Sequence, residues 1–198
     1  MNYLAHAWLA GDLPSDRLGG LMGDFVKGPL PAGLPPAVAA GVRLHRQIDV
    51  FADAHPAFQR SRARVSPLRR RFGGVMVDMF YDHFLARHWA HFHRAPLEDF
   101  TAGMYALMDA HAPLLPPRLA SVLPRMRETD WLASYRSPEA IAIALDRMAL
   151  RLRRANPLAG AGEELDAAYG GFEADFFDFI GDAERFAAAH RAARGGAP

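Results

Sequence analysis

The chain reads as an all-α protein, a single-domain helical bundle. Apolar residues recur at helical spacing along most of its 198 residues. No convincing train of alternating apolar and polar residues marks a sheet. Clusters of Pro and Gly punctuate the periodic stretches, and neither an internal repeat nor a low-complexity linker divides them, so one domain over residues 1–198 is expected.

A first helix is expected over Asn2 to Ala10, stopping near Gly11. Ser15 suits the N-cap of a second, running to Lys27 and ended by Gly28-Pro29. Residues Pro29 to Pro36 form a Pro- and Gly-rich loop. Pro36 then fits the first turn of a helix continuing to about Ala54. Pro56 opens an arginine-rich segment that Gly73-Gly74 breaks, and a long helix follows from about Val75 to His93. Pro96, Pro113, Pro116-Pro117 and Pro138 divide the remainder, with helices expected at Leu97–His111, Ser137–Arg154, Glu163–Ile180 and Asp182–Arg194.

Composition narrows the chemistry. The chain is 51% hydrophobic, enough for a substantial core, and has no cysteine. Disulfides, thiolate metal sites and cysteine nucleophiles are therefore excluded. A metal would be held by His, Asp and Glu, which suits hard or borderline ions such as Mn, Mg, Fe or Zn. The N-terminus lacks a basic region followed by a long apolar run, so no signal peptide is expected, and no stretch reaches membrane-spanning length without a charge. The expected location is cytoplasmic, with no membrane association. Net charge is +1, near neutral, and no nucleic-acid recognition motif appears. The charge is unevenly spread: Gly41 to Val75 holds eight Arg against two Asp, and Gly160 to Pro198 holds eight acids against three Arg. The basic stretch is either a solvated surface or an attraction for an acidic partner.

Two short segments carry the chemistry. His45 and Asp49 lie one turn apart beside an apolar stripe of Leu44, Ile48 and Phe51, and Gly41 leaves the groove open one turn earlier. Asp78 and Asp82 lie one turn apart, with His83 adjacent, on a helix whose Val75, Met76, Val77, Met79, Phe80, Tyr81, Phe84, Leu85 and Trp89 leave no wide polar face. Like charges at that spacing destabilise even an exposed helix by ~0.2–0.5 kcal/mol, and unpartnered burial costs several times more. Either a cation neutralises the pair, or one acid is protonated, or arginines (Arg43, Arg46, Arg87) pair with it. His6, between two alanines, and Asp24, among Leu21, Met22, Phe25 and Val26, form a third set. Each of these sets has an ordinary reading as core histidine or ion pair; together they favour a bound divalent metal and hydrolysis. There is no G-x-S-x-G elbow and no Walker loop; Gly19-Gly20-Leu21-Met22-Gly23 lacks the Lys-Ser or Lys-Thr of a phosphate loop. His88, His91 and His93 read as a polar helix end.

The strings Asn2-Tyr3-Leu4-Ala5-His6, Gly23-Asp24-Phe25-Val26-Lys27-Gly28, Gly41 to Asp49 and Asp78 to Trp89, with weaker echoes at Trp131–Tyr135, Met148–Arg151 and Phe172–Phe176, resemble in order and spacing the acyl carrier protein phosphodiesterases. Those enzymes are regarded as divergent relatives of HD-domain metal-dependent phosphohydrolases. Gly20 departs from the Asn often found there in the family, and Asp53-Ala54-His55-Pro56 resembles a variant of part of it. The resemblance implies an HD-domain-like bundle that hydrolyses the phosphodiester joining 4′-phosphopantetheine to a serine of holo-acyl carrier protein. It also implies a divalent metal, Mn2+ first, with Mg2+, Fe2+ or Co2+ as alternatives. Asp24, His45, Asp49, Asp78, Asp82 and His83 become the candidate ligands or ligand-orienting residues. One ion cannot take all of them. His6, Asp24, Arg46, Asp82 and Arg87 are the candidate catalytic residues, with the arginines placed to neutralise phosphate. The acidic carrier would dock on Arg60, Arg62, Arg64, Arg69, Arg70 and Arg71. Two other readings stand beside this one: an HD-like phosphohydrolase of nucleotides or small phosphoesters, and a non-catalytic helical module that binds an acidic partner.

Overall fold

A computed structural model describes residues 1–152 and 154–195. The class expected from sequence holds: eleven α-helices, joined by short 3-10 turns, and no strand among the described residues. In order they are α1 (Tyr3–Leu9), α2 (Pro14–Met22), α3 (Pro36–Ala54), α4 (Pro56–Arg64), α5 (Gly73–Arg87), α6 (Leu97–Ala110), α7 (Pro117–Glu128), α8 (Trp131–Ser134), α9 (Pro138–Arg151), α10 (Gly162–Ala167) and α11 (Tyr169–Gly195).

Helix α5 is the buried axis. Met76 through Ala86 are buried apart from Asp78, as its unbroken apolar pattern requires. Helix α11 lies along it and supplies Phe172, Phe176 and Phe179, all fully buried against Phe80, Tyr81 and Phe84. Each such ring contributes ~1.5–3 kcal/mol of burial. Helix α1 packs on α5, α3 packs on α11, and α2 lies against α1 and α3, where its approach to α3 is a backbone contact. A β-carbon at Gly19 would sit 2.5 Å from the Val42 nitrogen and 2.6 Å from the Gly41 Cα. The space that Gly41 leaves is filled by the backbone of α2.

Several boundaries differ from the sequence reading. Helix α2 starts at Pro14, which needs no donor at the first helical position, and Leu13 rather than Ser15 precedes it. It ends at Met22, and Asp24 rides on a 3-10 turn, Gly23–Phe25. Ser66-Pro67, not Gly73-Gly74, interrupts the arginine-rich stretch. The glycines open α5, where the first turn makes no intrahelical donor bonds. Helix α5 stops at Arg87 and a separate 3-10 turn covers Trp89–His91. Gly181 does not divide the last helix, because Phe179, Ile180, Ala183 and Ala187 carry one buried stripe across it; the break falls earlier, at Ala168. Helix α7 was unexpected, with Pro124 inside it. An interior proline costs ~3 kcal/mol, but Leu119, Leu123 and Met126 bury one face at helical spacing and offset that cost.

The charge asymmetry resolves within the molecule. Asp175, almost fully buried, accepts from Arg60 Nε at 2.8 Å, Arg64 Nε at 2.8 Å and Ser61 Oγ at 3.1 Å. Glu164 takes Ser66 and Arg69, and His55 pairs with Asp182 while capping α4. The basic stretch and the acidic C-terminal stretch face each other, so most of the arginines proposed for docking are already neutralised. No described helix is long and apolar enough to cross a membrane.

Candidate metal centre

Helices α1 and α3 and the turn after α2 bring His6, His45, Asp49 and Asp24 together. The rings of His6 and His45 stack with centroids 3.5 Å apart. Gly23 makes room for them: a β-carbon there would lie 2.2 Å from His45 Cγ. His6 Nε2 is 3.0 Å from Asp49 Oδ1, and His45 Nε2 is 3.3 Å from Asp49 Oδ2 and 3.4 Å from Asp24 Oδ1. One donor atom each from His6, His45 and Asp49 lies within 4.8 Å of the others, a spacing that can hold a metal ion.

Protonation follows from the partners. His45 Nδ1 donates to the Gly20 carbonyl at 2.8 Å, and its Nε2 faces two carboxylates. Burial opposes charge on this ring, but Asp24 and Asp49 outweigh it and raise its pKa to about 9. His6 is fully buried beside that cation, and burial first, then His45, lowers its pKa to about 3. Its Nε2 faces the Met1 carbonyl and Asp49, both acceptors, so Nε2 carries the proton. Its Nδ1 is buried with no hydrogen-bond partner. Burial works against ionisation of Asp49 and Asp24, yet the histidines hold both below the usual carboxylate range.

A second cation shares Asp49. The Met1 ammonium is 2.7 Å from Asp78 Oδ1 and 3.1 Å from Asp49 Oδ1. Burial disfavours its charge, but the two acids hold its pKa up at about 11. The amine marks a place where the protein concentrates negative potential, and it stands in for a positive ion there.

The donor set fits a divalent metal. With Nδ1–H held by the Gly20 carbonyl, His45 presents its Nε2 lone pair once its second proton leaves, which is how backbone carbonyls orient metal-binding imidazoles. Asp49 reaches both rings. Asp24 and Asp78 line the adjoining cleft of about 480 Å³, together with Met1, Asn2, Tyr3 and Asp53.

The other sequence candidates lie elsewhere. Asp82 is fully buried, and its oxygens accept from Leu4 N at 2.8 Å and Ala5 N at 3.0 Å, capping α1 across the core. Burial pushes its pKa up to about 7 against those two donors. His83 is turned toward the Tyr135 carbonyl and the Tyr169 hydroxyl, both at 2.8 Å. Asp78 and Asp82, read as a like-charged pair, thus satisfy separate partners, an ammonium and a helix N-terminus. Arg46 donates to the carbonyls of Val26 and Gly28, holding the loop after Asp24. Arg87 lies over the Tyr169 ring. His88 pairs with Glu173. Residues without a chemical signature in sequence also enter the site: the Met1 amine, and Tyr3, which stacks on Phe25 and links the cleft to the next hollow.

A helical scaffold that brings two stacked histidines and shared carboxylates to an open cleft carries the donor set of a possible metal site. The family model described as acyl carrier protein phosphodiesterase matches residues 1–183. The acyl carrier protein phosphodiesterase of Serratia proteamaculans (strain 568) is 37% identical over 180 residues, spanning 90% of this chain and 93% of the relative. Those of Escherichia coli O45:K1 and O157:H7 (strain EC4115) are 35% and 34% identical over the same shares. No solved structure matches. The chain belongs to the acyl carrier protein phosphodiesterase family.

Proposed function

We propose that this protein hydrolyses the phosphodiester joining 4′-phosphopantetheine to the serine of holo-acyl carrier protein, releasing apo-carrier and 4′-phosphopantetheine with the help of a divalent metal, Mn2+ first among the candidates. The observation that carries this reading is the convergence of His6, His45 and Asp49 at the cleft, in a chain of this family. These three would hold the ion, with Asp24 or Asp78 completing the set from the cleft wall. A bound divalent ion polarises a phosphoryl oxygen and lowers the pKa of water. The remaining work falls to the chain. Gly20 and Gly23 fix the ring of His45. Asp24, half exposed and held ionised by His45, is placed to take the proton of the attacking water. The Tyr3 hydroxyl, whose pKa burial and Asp24 raise to about 12, stays protonated and can donate to a phosphate oxygen.

The test is to incubate holo-carrier with the protein and Mn2+ and weigh the carrier by mass spectrometry. Loss of the phosphopantetheine mass, abolished by chelator and by Asp49→Asn, is expected. Unchanged mass across several carriers, with metal bound, overturns the assignment and redirects it to a smaller phosphoester.

A further inference from the structure

The cleft does not end at the metal centre. Tyr3 and Asp24 line both it and a second hollow of about 120 Å³. Val122, Trp131 and Arg151 line both that hollow and a third of about 350 Å³. The second and third hollows form a furrow between α7 and α9 that meets the cleft at Tyr3 and Asp24. Four arginines border it: Arg118 and Arg125, seven residues apart on α7, and Arg147 and Arg151, one turn apart on α9. All four are exposed. None has a carboxylate within ion-pair distance among the described residues, in contrast to Arg60, Arg62, Arg64 and Arg69. Arginines one turn apart on one helix face repel one another. Leu150, 86% exposed, and the partly buried Trp131 give the far end an apolar floor.

We propose that this furrow is the docking surface for the acidic face of the carrier protein, with Arg118 and Arg151 nearest the scissile bond and Arg125, Arg147 and Leu150 beyond it. The proposal rests on the function argued above. The bond to be broken joins the prosthetic group to a serine on the carrier itself, so the carrier's own surface must lie against the rim of the metal centre. A docking surface must therefore be continuous with the cleft, positive and unneutralised. The furrow meets those three requirements, and the arginines of α4, paired to Asp175 and Asp53, do not. Complementary charge of this kind sets association rate and register, and salt screens it.

The experiment measures binding of a fluorescently labelled apo-acyl carrier protein, which lacks the scissile bond, by anisotropy at low and high salt. Arg125→Glu/Arg147→Glu is expected to weaken binding at least tenfold at low salt and to flatten the salt dependence. Arg125→Gln/Arg147→Gln should fall between it and the unaltered protein. Arg71→Glu/Arg94→Glu, exposed arginines outside the furrow, should change affinity less than twofold. Affinity within twofold for the furrow reversal, an equal loss in the control, or no binding by the unaltered protein overturns the proposal. Binding that depends on the furrow without cleavage of holo-carrier would leave the docking surface standing and remove the proposed reaction.

Discussion

His45 has an acceptor at each ring nitrogen, and that arrangement makes three measurable demands. Its pKa in the folded state, about 9, lies above the ordinary 6.5. The stability it contributes to the metal-free protein is complete below pH 6.5 and is lost as pH rises through 9. Thermal melts of chelated protein should therefore fall in midpoint across that interval, and His45→Gln should remove the slope. Saturating Mn2+ must displace the Nε2 proton, so binding should release protons near neutral pH. Calorimetry in buffers of different ionisation enthalpy reads that release, and identical heats in all buffers would contradict it. Gly23→Ala drives a methyl into the imidazole; overpacking costs ~1–3 kcal/mol, and metal affinity should drop at least about tenfold as the ring tilts. The residues of this cluster stood out in sequence because acids and histidines were set among apolar neighbours. The order of their pairing did not. Nothing in the string Gly19-Gly20-Leu21-Met22-Gly23 says that its last glycine faces an imidazole and its second supplies the carbonyl that orients it, since both depend on how three helices cross.

Helix α1 is seven residues long and has no cap of its own: Asn2, at the capping position, bonds instead to Met79 Sδ and Tyr135. Asp82 on α5 satisfies its first free donors. Asp82→Ala would leave two buried N–H groups unpaired, at a cost of about 2–4 kcal/mol, and should lower the melting temperature of the chelated protein as well as activity. A loss of activity with an unchanged melt would instead make Asp82 a chemical participant. Asp82 and Asp78 show where sequence stops being informative: each is an acid in an apolar helix, and only the arrangement of α1 tells an ammonium partner from an amide one. Helix α4 is held through Asp175, whose carboxyl is kept below its usual range by Arg64, Arg60 and Ser61 against the cost of burial. Its contribution is present above the ordinary carboxylate pKa and lost as pH falls through the depressed one. Asp175→Asn should cost about 1–3 kcal/mol at neutral pH and blunt acid unfolding, as followed by circular dichroism. Boundaries of α3 and α6 were legible because prolines mark their starts. Helix α7 was not, because Pro124 hides a stripe of three buried side chains whose tertiary partners outweigh it.

Across the whole molecule, the all-α class and the central buried helix followed from periodicity alone, whereas the electrostatic layout did not. Linear charge counts assign a basic stretch and an acidic one; folding largely cancels them against each other and leaves Arg118 and Arg125 of α7 and Arg147 and Arg151 of α9 exposed and without an ion-pair partner among the described residues. The tertiary contacts that complete the centre are distant in the chain. Asp82 is 78 residues from Leu4, and Arg191, bonded to the Leu9 carbonyl, is 182 residues from it. A helix of seven residues is not stable in water without such partners. During synthesis at ~5–20 residues per second, α1 must therefore wait several seconds on the ribosome before its cap exists, and longer for its C-terminal fastening. His6 therefore settles over His45 only after Asp82 has left the exit tunnel, so the first 82 residues must be clear of the ribosome before the two rings stack.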